Sequence, residues 1–283
     1  FARGEFVEAL EHYRKAGDAD TVAASRGLRI SEFPEWRIRL PLVHWMPGYP
    51  DQARRMRREG LEFCRTRSDL LSRMLSEVFA AQLGHMMLDA GEAAQHAAAG
   101  ERMAVEYGSQ QALGIAIVVS GWAIAESGDP ARGITEIGRA MKSLEVAGTG
   151  LRSHLVVALA ECHLRLGQID EGLKVVSEAL IHVQETKERF FAAEINRLKG
   201  ELLVRHGSKD AEASFRAAIG IAQHQSAKSW ELRATTSLAR FLAAQGSRDE
   251  ARAMLAEIYG WFTEGFDTRD LTDAKALLDQ LNG

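Results

Sequence analysis

The sequence predicts an all-α chain folded as a solenoid of stacked helix hairpins. Three observations carry that reading: scarce proline, glycines recurring at nearly constant spacing, and small residues that keep step with them. Proline numbers five in 283 residues, and four of these (Pro34, Pro41, Pro47, Pro50) fall in one stretch. With only Pro130 elsewhere, most of the chain is free to be helical. The glycines are Gly4, Gly48, Gly91, Gly128, Gly167, Gly207 and Gly246, separated by 44, 43, 37, 39, 40 and 39 residues. An acid follows within three residues: Glu5, Asp51, Glu92, Asp129, Asp170, Asp210, Asp249. At the start of the following helix such an acid caps free N–H groups and opposes the macrodipole.

Small residues mark the hairpins. Seven residues before five of the glycines stand Gly84, Gly121, Ala160, Gly200 and Ala239. Five residues after most of them stand Ala9, Ala53, Gly133, Gly172 and Ala251, with Ala213 one place late. Small side chains at those points let the two helices of a hairpin approach closely. This is the tetratricopeptide pattern of helix A, tight turn, helix B, although the period exceeds the ~34 residues usual for that motif. Apolar residues at three- and four-residue spacing in 151–166, 173–183, 198–204 and 215–221 fit amphipathic helices.

The expected helix pairs are 70–107, 111–147, 151–185, 189–225 and 227–262, with a closing helix near 270–282. Together they predict one right-handed superhelical domain over 1–283: an irregular part at 1–66, about five regular pairs over 70–262, and a C-terminal cap at 263–283. Glu5 to Arg14 reads as the second helix of a truncated repeat. The next helix, around 21–46, should kink or break at Pro34 and Pro41. The chain opens without Met and in mid-helix, which reads as a piece of a longer protein. In such an array each hairpin buries its apolar side against its neighbours, which leaves a long curved groove open.

Composition narrows the function. Hydrophobic residues make up 46% and charged residues 26%, and the net charge of −4 is spread with both signs interspersed. That balance argues against nucleic acid or an acidic membrane as partner. Cys64 and Cys162 lie far apart and outside any CxxC, which suits a reducing compartment and gives neither a disulfide framework nor a zinc site. No run of 18 apolar residues occurs, so no transmembrane segment is expected. The run Gly128-Asp129-Pro130-Ala131-Arg132-Gly133 approaches a phosphate-binding loop but has Ile134 where lysine is needed. There is no HExxH and no GxSxG; His154 and His163 are nine residues apart, too far along one helix to chelate together. No cofactor, metal or catalytic residue is therefore expected. His163 falls on the hairpin-packing face. The Arg54-Arg55-Met56-Arg57-Arg58 run reads as a solvated helix face, with a grip on an acidic partner or a phosphate backbone as the alternative. Tyr259, Trp261, Phe262 and Phe266 read as a plug over the end of the array, with a docking patch as the alternative.

A family resemblance enters in the last third. The segments Glu188 to Glu194, Arg197 to Leu203, Ala211 to Ile219, Ala227 to Ala234, Tyr259 to Thr268 and Leu271 to Leu278 resemble the C-terminal tetratricopeptide region of bacterial multidomain signalling proteins. Gly48-Tyr49-Pro50-Asp51 extends the likeness upstream. In that family a class III adenylate/guanylate cyclase domain, or in relatives a DNA-binding domain, precedes a P-loop ATPase of the AAA/STAND kind, and the repeats follow. The resemblance implies cytoplasmic, regulatory work without enzymatic activity in this segment. The partner would be a protein or peptide, upstream domains of the same chain included, and a homo-oligomer is compatible.

Counting back from each turn glycine places the first helices' residues on the concave face. One row holds His85, Trp122, Glu161, Glu201 and Arg240; a second includes Val118, Val157 and Arg197; a third includes His154, Glu194 and Arg233. Trp122 is the first candidate, as an aromatic anchor in a groove or as packing between repeats. The arginines are placed to receive carboxylates, or to pair with Glu194, Glu201 and Glu231. The candidate binding residues are thus Trp122, Val118, Val157, His85, His154, Glu161, Arg197, Glu201, Arg233 and Arg240. Two other functions compete with a sensor module: an inducer receptor with an apolar pocket around Trp122, Val118 and Val157, and a structural oligomerisation scaffold.

Overall fold

The computed structural model describes residues 3–25, 35–67, 69–147 and 152–282. Among them are fourteen helices and no strand. They are α1 (Phe6–Ser25), α2 (Glu35–Trp45), α3 (Pro50–Arg65), α4 (Leu70–Met86), α5 (Ala90–Tyr107), α6 (Gln110–Glu126) and α7 (Pro130–Ala147). There follow α8 (Arg152–Leu166), α9 (Ile169–Thr186), α10 (Ala192–His206), α11 (Ala211–His224), α12 (Lys228–Ala244), α13 (Arg248–Tyr259) and α14 (Arg269–Asn282). The chain is an α-solenoid of tetratricopeptide-like hairpins. No described helix is long and apolar enough to cross a membrane.

Two layers follow from the packing. Every even-numbered helix packs on the next even-numbered one, from α2 to α14, as well as on its neighbours in sequence. These helices form the inner layer, and α6 and α12 are buried over most of their length. Small residues set the hairpin contacts. A Cβ on Gly121 would stand 2.8 Å from the carbonyl oxygen of Gly133, and one on Gly200 would run into the Phe215 ring. The closing helix α14 buries Leu271, Ala274, Leu277, Leu278 and Leu281 against α12 and α13.

One hairpin turn differs from expectation. Gly91 lies inside α5; the turn residue between α4 and α5 is Leu88, with φ of 58°, and Asp89 caps α5 by accepting from the Glu92 amide at 3.0 Å. Leu88 and the left-handed glycines 48, 128, 167, 207 and 246 are then spaced by 39 or 40 residues throughout, a more regular period than the glycines alone give. The correction moves the rows on α4 by three residues, so the counterpart of Trp122 there is Gln82, and His85 sits about one turn further on. The N-terminal part also differs. The expected break at Pro34 lies outside the described residues, while Pro41 stands inside α2 without ending it. Proline has no N–H to offer one turn back, and α3 comes close there: a Cβ on Gly60 would be 3.2 Å from the Arg37 carbonyl oxygen.

The open groove is not found, because distant hairpins meet. Ser229 on α12 donates its amide to the Met46 carbonyl at 3.1 Å and its hydroxyl to the Trp45 carbonyl at 2.6 Å. Trp45 and Trp230 pack edge to face at 4.8 Å between centroids, and Phe6 meets Phe190 at 5.4 Å. The link between α13 and α14 clasps the start of α3. Glu264 accepts from the Gln52 amide at 3.0 Å, Asp51 accepts from the Gly265 amide at 2.9 Å, and Arg54 grips both carboxylate oxygens of Asp267 at 2.8 and 2.9 Å. Gly265, with φ of 74°, lies so close to Pro50 that no side chain fits. Part of the aromatic run near the C-terminus serves this seam: Trp261 packs on Tyr49 at 5.6 Å and fills the space beside Gly48. Phe262 also joins the buried cluster of α14, Tyr259 packs against that cluster, and Phe266 packs on Tyr259 at 6.0 Å, so the run divides between the seam and the closing end of the array. The basic run is divided likewise: Arg54 joins the clasp and Arg57 is buried against Glu92.

Candidate binding site

Helical spacing brings a set of charged side chains to one space inside the solenoid. Arg197, Glu201 and Arg205 recur every four residues on α10 and so share a face. Arg233, Ser237 and Arg240 do nearly the same on α12, Glu161 and Arg165 on α8, and Arg269 and Asp273 on α14. They line a cavity of about 430 Å³ whose apolar part is Leu88, Leu164 and Leu198.

The floor is a buried ionic network. Arg197 donates to both oxygens of Glu194 at 3.0 and 2.7 Å and to Glu201 at 3.2 Å. Ser237 donates to Glu201 at 2.6 Å. Arg233 forks onto Asp270 at 2.8 and 2.6 Å, donates to the Met86 carbonyl at 2.6 Å, and lies over the rings of Trp230 and Trp45. One guanidinium thus ties α12 to α14, to the end of α4 and to the seam. Burial alone would raise the Glu194 carboxyl, but Arg197 and Arg233 hold it below the usual range. Burial likewise opposes the charge on Arg197 and Arg233, and their carboxylate partners reverse the effect and keep both firmly protonated. Such a network adds little net stability, yet removing one partner leaves an uncompensated charge that costs about 3–5 kcal/mol.

The rim is less committed. Arg165 pairs with Glu126 and donates to the Glu161 carbonyl oxygen at 3.2 Å; burial, with Arg269 and Arg197 nearby, pulls it down to about 10. Arg269 reaches Glu126 at 2.9 Å. Arg240 stands 4.0 Å from Asp273 with both side chains about half exposed, and Arg205 is exposed with no ion pair among the described residues. Arg205 and Arg240 therefore keep guanidinium donors for a guest.

Beneath the cavity runs a chain of buried polar groups. Glu161 meets His85 Nε2 at 3.0 Å, and His85 Nδ1 meets His154 Nε2 at 3.0 Å. His85 stacks on Trp122 at 4.3 Å and His154 on Phe191 at 5.1 Å, their planes 3° apart in the second pair. Burial pushes Glu161 up to about 7, with Glu194 adding to it, and pulls His85 down to about 3, with Arg233 adding to it; His154 is also held well below the ordinary imidazole range by burial. All three shifts favour uncharged forms.

The predicted site residues thus divide in two. Glu161, Arg197, Glu201, Arg233 and Arg240 line the cavity. Trp122, Val118 and Val157 are at most 2% exposed and offer no surface to a guest, and His85 and His154 are buried below it. Trp122 is packing: its indole fills the interior against His85 because α6 is surrounded by α4, α5, α7 and α8. Sequence reasoning missed Arg205, which the four-residue spacing from Arg197 and Glu201 would have revealed. It also missed Arg269, Asp270 and Asp273, which lie outside the regular hairpins. His163 is buried and bonds Gln168 at 2.9 Å. Among the described residues no group of three or more His, Cys, Asp or Glu is arranged to hold a metal ion.

No family model matches the chain, and no curated protein does. Among solved structures, the apo form of RapI is similar over 98% of this chain and 96% of that one, with a TM-score of 0.56 at 11% identity. Yeast Tom70 matches with a TM-score of 0.42 at 13% identity; this chain spans 59% of its length. Both are TPR-like helical repeat proteins. The RapI likeness establishes the fold and nothing further.

Proposed function

We propose that this chain is a non-catalytic interaction module that takes an acidic segment of a protein partner into the arginine-lined cavity. The observation that carries the reading is the pair of rim residues, Arg205 and Arg240, whose guanidiniums stay available while the floor arginines are locked to carboxylates. Arginine presents a planar fork of donors that matches carboxylates, so an Asp- or Glu-rich segment is the complementary guest. The partner would be a peptide or another domain, including domains that precede this segment in a longer chain. Engagement would then regulate an attached nucleotide cyclase or P-loop ATPase in the cytoplasm, as the family resemblance implies. The apolar inducer pocket around Trp122, Val118 and Val157 has no support, since those side chains are buried in packed interior.

Calorimetric titration with hexaglutamate and hexaglutamine tests the binding half. Saturable binding of the acidic peptide alone, weakened at least tenfold by Arg205→Ala together with Arg240→Ala, is expected. Equal binding of the two peptides would refute the reading. For the regulatory half, nucleotide turnover by the full-length protein should change when the repeats are deleted; unchanged turnover rules that role out.

A further inference from the structure

Glu161 is the one cavity-lining carboxylate whose hydrogen bond leads inward. Its neighbours' cations are engaged elsewhere: from α10, Arg197 is held by Glu194 and Glu201; from α12, Arg233 is held by Asp270 of α14; and on its own helix Arg165 pairs with Glu126. Facing it are His85 from α4, Glu194 from α10, and Trp122 of α6, whose indole N–H favours the ionised carboxylate, as do Arg197 and Arg233 through space. His154 lies further back on α8.

The chain from Glu161 through His85 to His154 has two self-consistent proton arrangements. With Glu161 protonated, its O–H donates to His85 Nε2 and His85 Nδ1–H donates to His154 Nε2. With Glu161 ionised, His85 Nε2–H donates to the carboxylate and His154 Nε2–H donates to His85 Nδ1. The first avoids a buried charge but leaves an N–H at His154 Nδ1, which is buried and has no partner; the second leaves a lone pair there, the cheaper defect, beside a desolvated carboxylate. The costs oppose each other, so a modest change in local potential decides between them.

We propose that the cavity takes up its anionic partner together with one proton, which comes from solvent, settles on Glu161 and reverses the hydrogen bonds of His85 and His154. This rests on the acidic-segment reading above. A guest carboxylate held by Arg205 and Arg240 adds negative charge to a space that already contains Glu161, and like charges so enclosed cannot both stay ionised at low cost. His154 stacks on Phe191, which packs on Phe190 at 4.6 Å and on Trp230 at 6.1 Å, and these rings meet Phe6 and Trp45 at the seam between the two ends of the array. The His154 ring is thus joined to the seam through the stacked Phe191 and its neighbours.

The experiment is calorimetry of hexaglutamate binding to the whole chain at pH 8, in buffers of different ionisation enthalpy, followed by affinity measurements from pH 6 to 9. The expected result is uptake of half to one proton per peptide, with affinity falling by up to about tenfold per pH unit above neutrality. In Glu161→Gln, binding persists with the proton count near zero and the pH dependence flattened. Binding without proton uptake, or the same uptake in Glu161→Gln, overturns the linkage while leaving the acidic-segment reading intact. Absence of binding at every pH overturns that reading and the linkage with it. If Glu161→Gln does not fold, the proton count of the native chain decides alone.

Discussion

The hairpins α4–α7 and the helices α8–α14 share one architecture and treat its interior in opposite ways. At equivalent positions before the turn stand Gln82 and Trp122 in the first region, then Glu161, Glu201 and Arg240 in the second. In the first, Trp122 has no exposed surface, and glycine or alanine opposes glycine at the hairpin contacts: Gly84 against Ala93, Gly121 against Gly133. In the second, Gly200 faces the Phe215 ring across its hairpin, and charged residues surround a cavity. The repeat therefore fixes where side chains meet, and the side chains decide whether that place becomes packed core or a receptive space.

Substitutions can break this contrast. Trp122→Ala should be the most damaging, costing about 3–5 kcal/mol in chemical denaturation because a packed interior cannot collapse around the void. Gly121→Ala should cost about 1–3 kcal/mol, since the new methyl meets backbone at Gly133 and Ile137. Gly200→Ala should cost less, because a ring can shift where a carbonyl cannot; equal losses would mean the two regions pack alike.

A pH series sharpens the contrast. Folding holds the proton on Glu161, so stability declines as pH rises above the ordinary carboxylate range, with the loss complete once pH passes about 7. Folding keeps His85 neutral, so stability declines as pH falls below the ordinary imidazole range, deepening toward about 3. Glu161→Gln should flatten the alkaline limb alone in denaturation midpoints measured from pH 5 to 9; an unchanged limb would remove Glu161 from the account. The smallest effect on stability belongs to Arg205→Ala and Arg240→Ala, each within about 0.5 kcal/mol, while peptide affinity drops.

The fold class was legible because a hairpin turn needs a left-handed residue and glycine supplies it most cheaply. Where leucine takes that role at position 88, the count slipped to Gly91 and carried His85 into the wrong row. Five cavity residues were readable from helical spacing: Glu161, Arg197, Glu201, Arg233 and Arg240. The burial of Trp122 was not, because periodicity places a side chain on a face without saying how full that face is. The closure of the ends left no periodic trace either: Trp45 with Trp230 and Arg54 with Asp267 are single contacts between residues more than 180 positions apart.

Leu88 has a consequence of its own. A leucine in the left-handed region carries a penalty of about 1–2 kcal/mol that glycine would escape, yet glycine would strip the cavity of one of its three leucines. Leu88→Gly should relax the turn and blunt recognition in the same stroke, so selection for ruggedness alone would drift toward a sturdier chain that grips its guest less well.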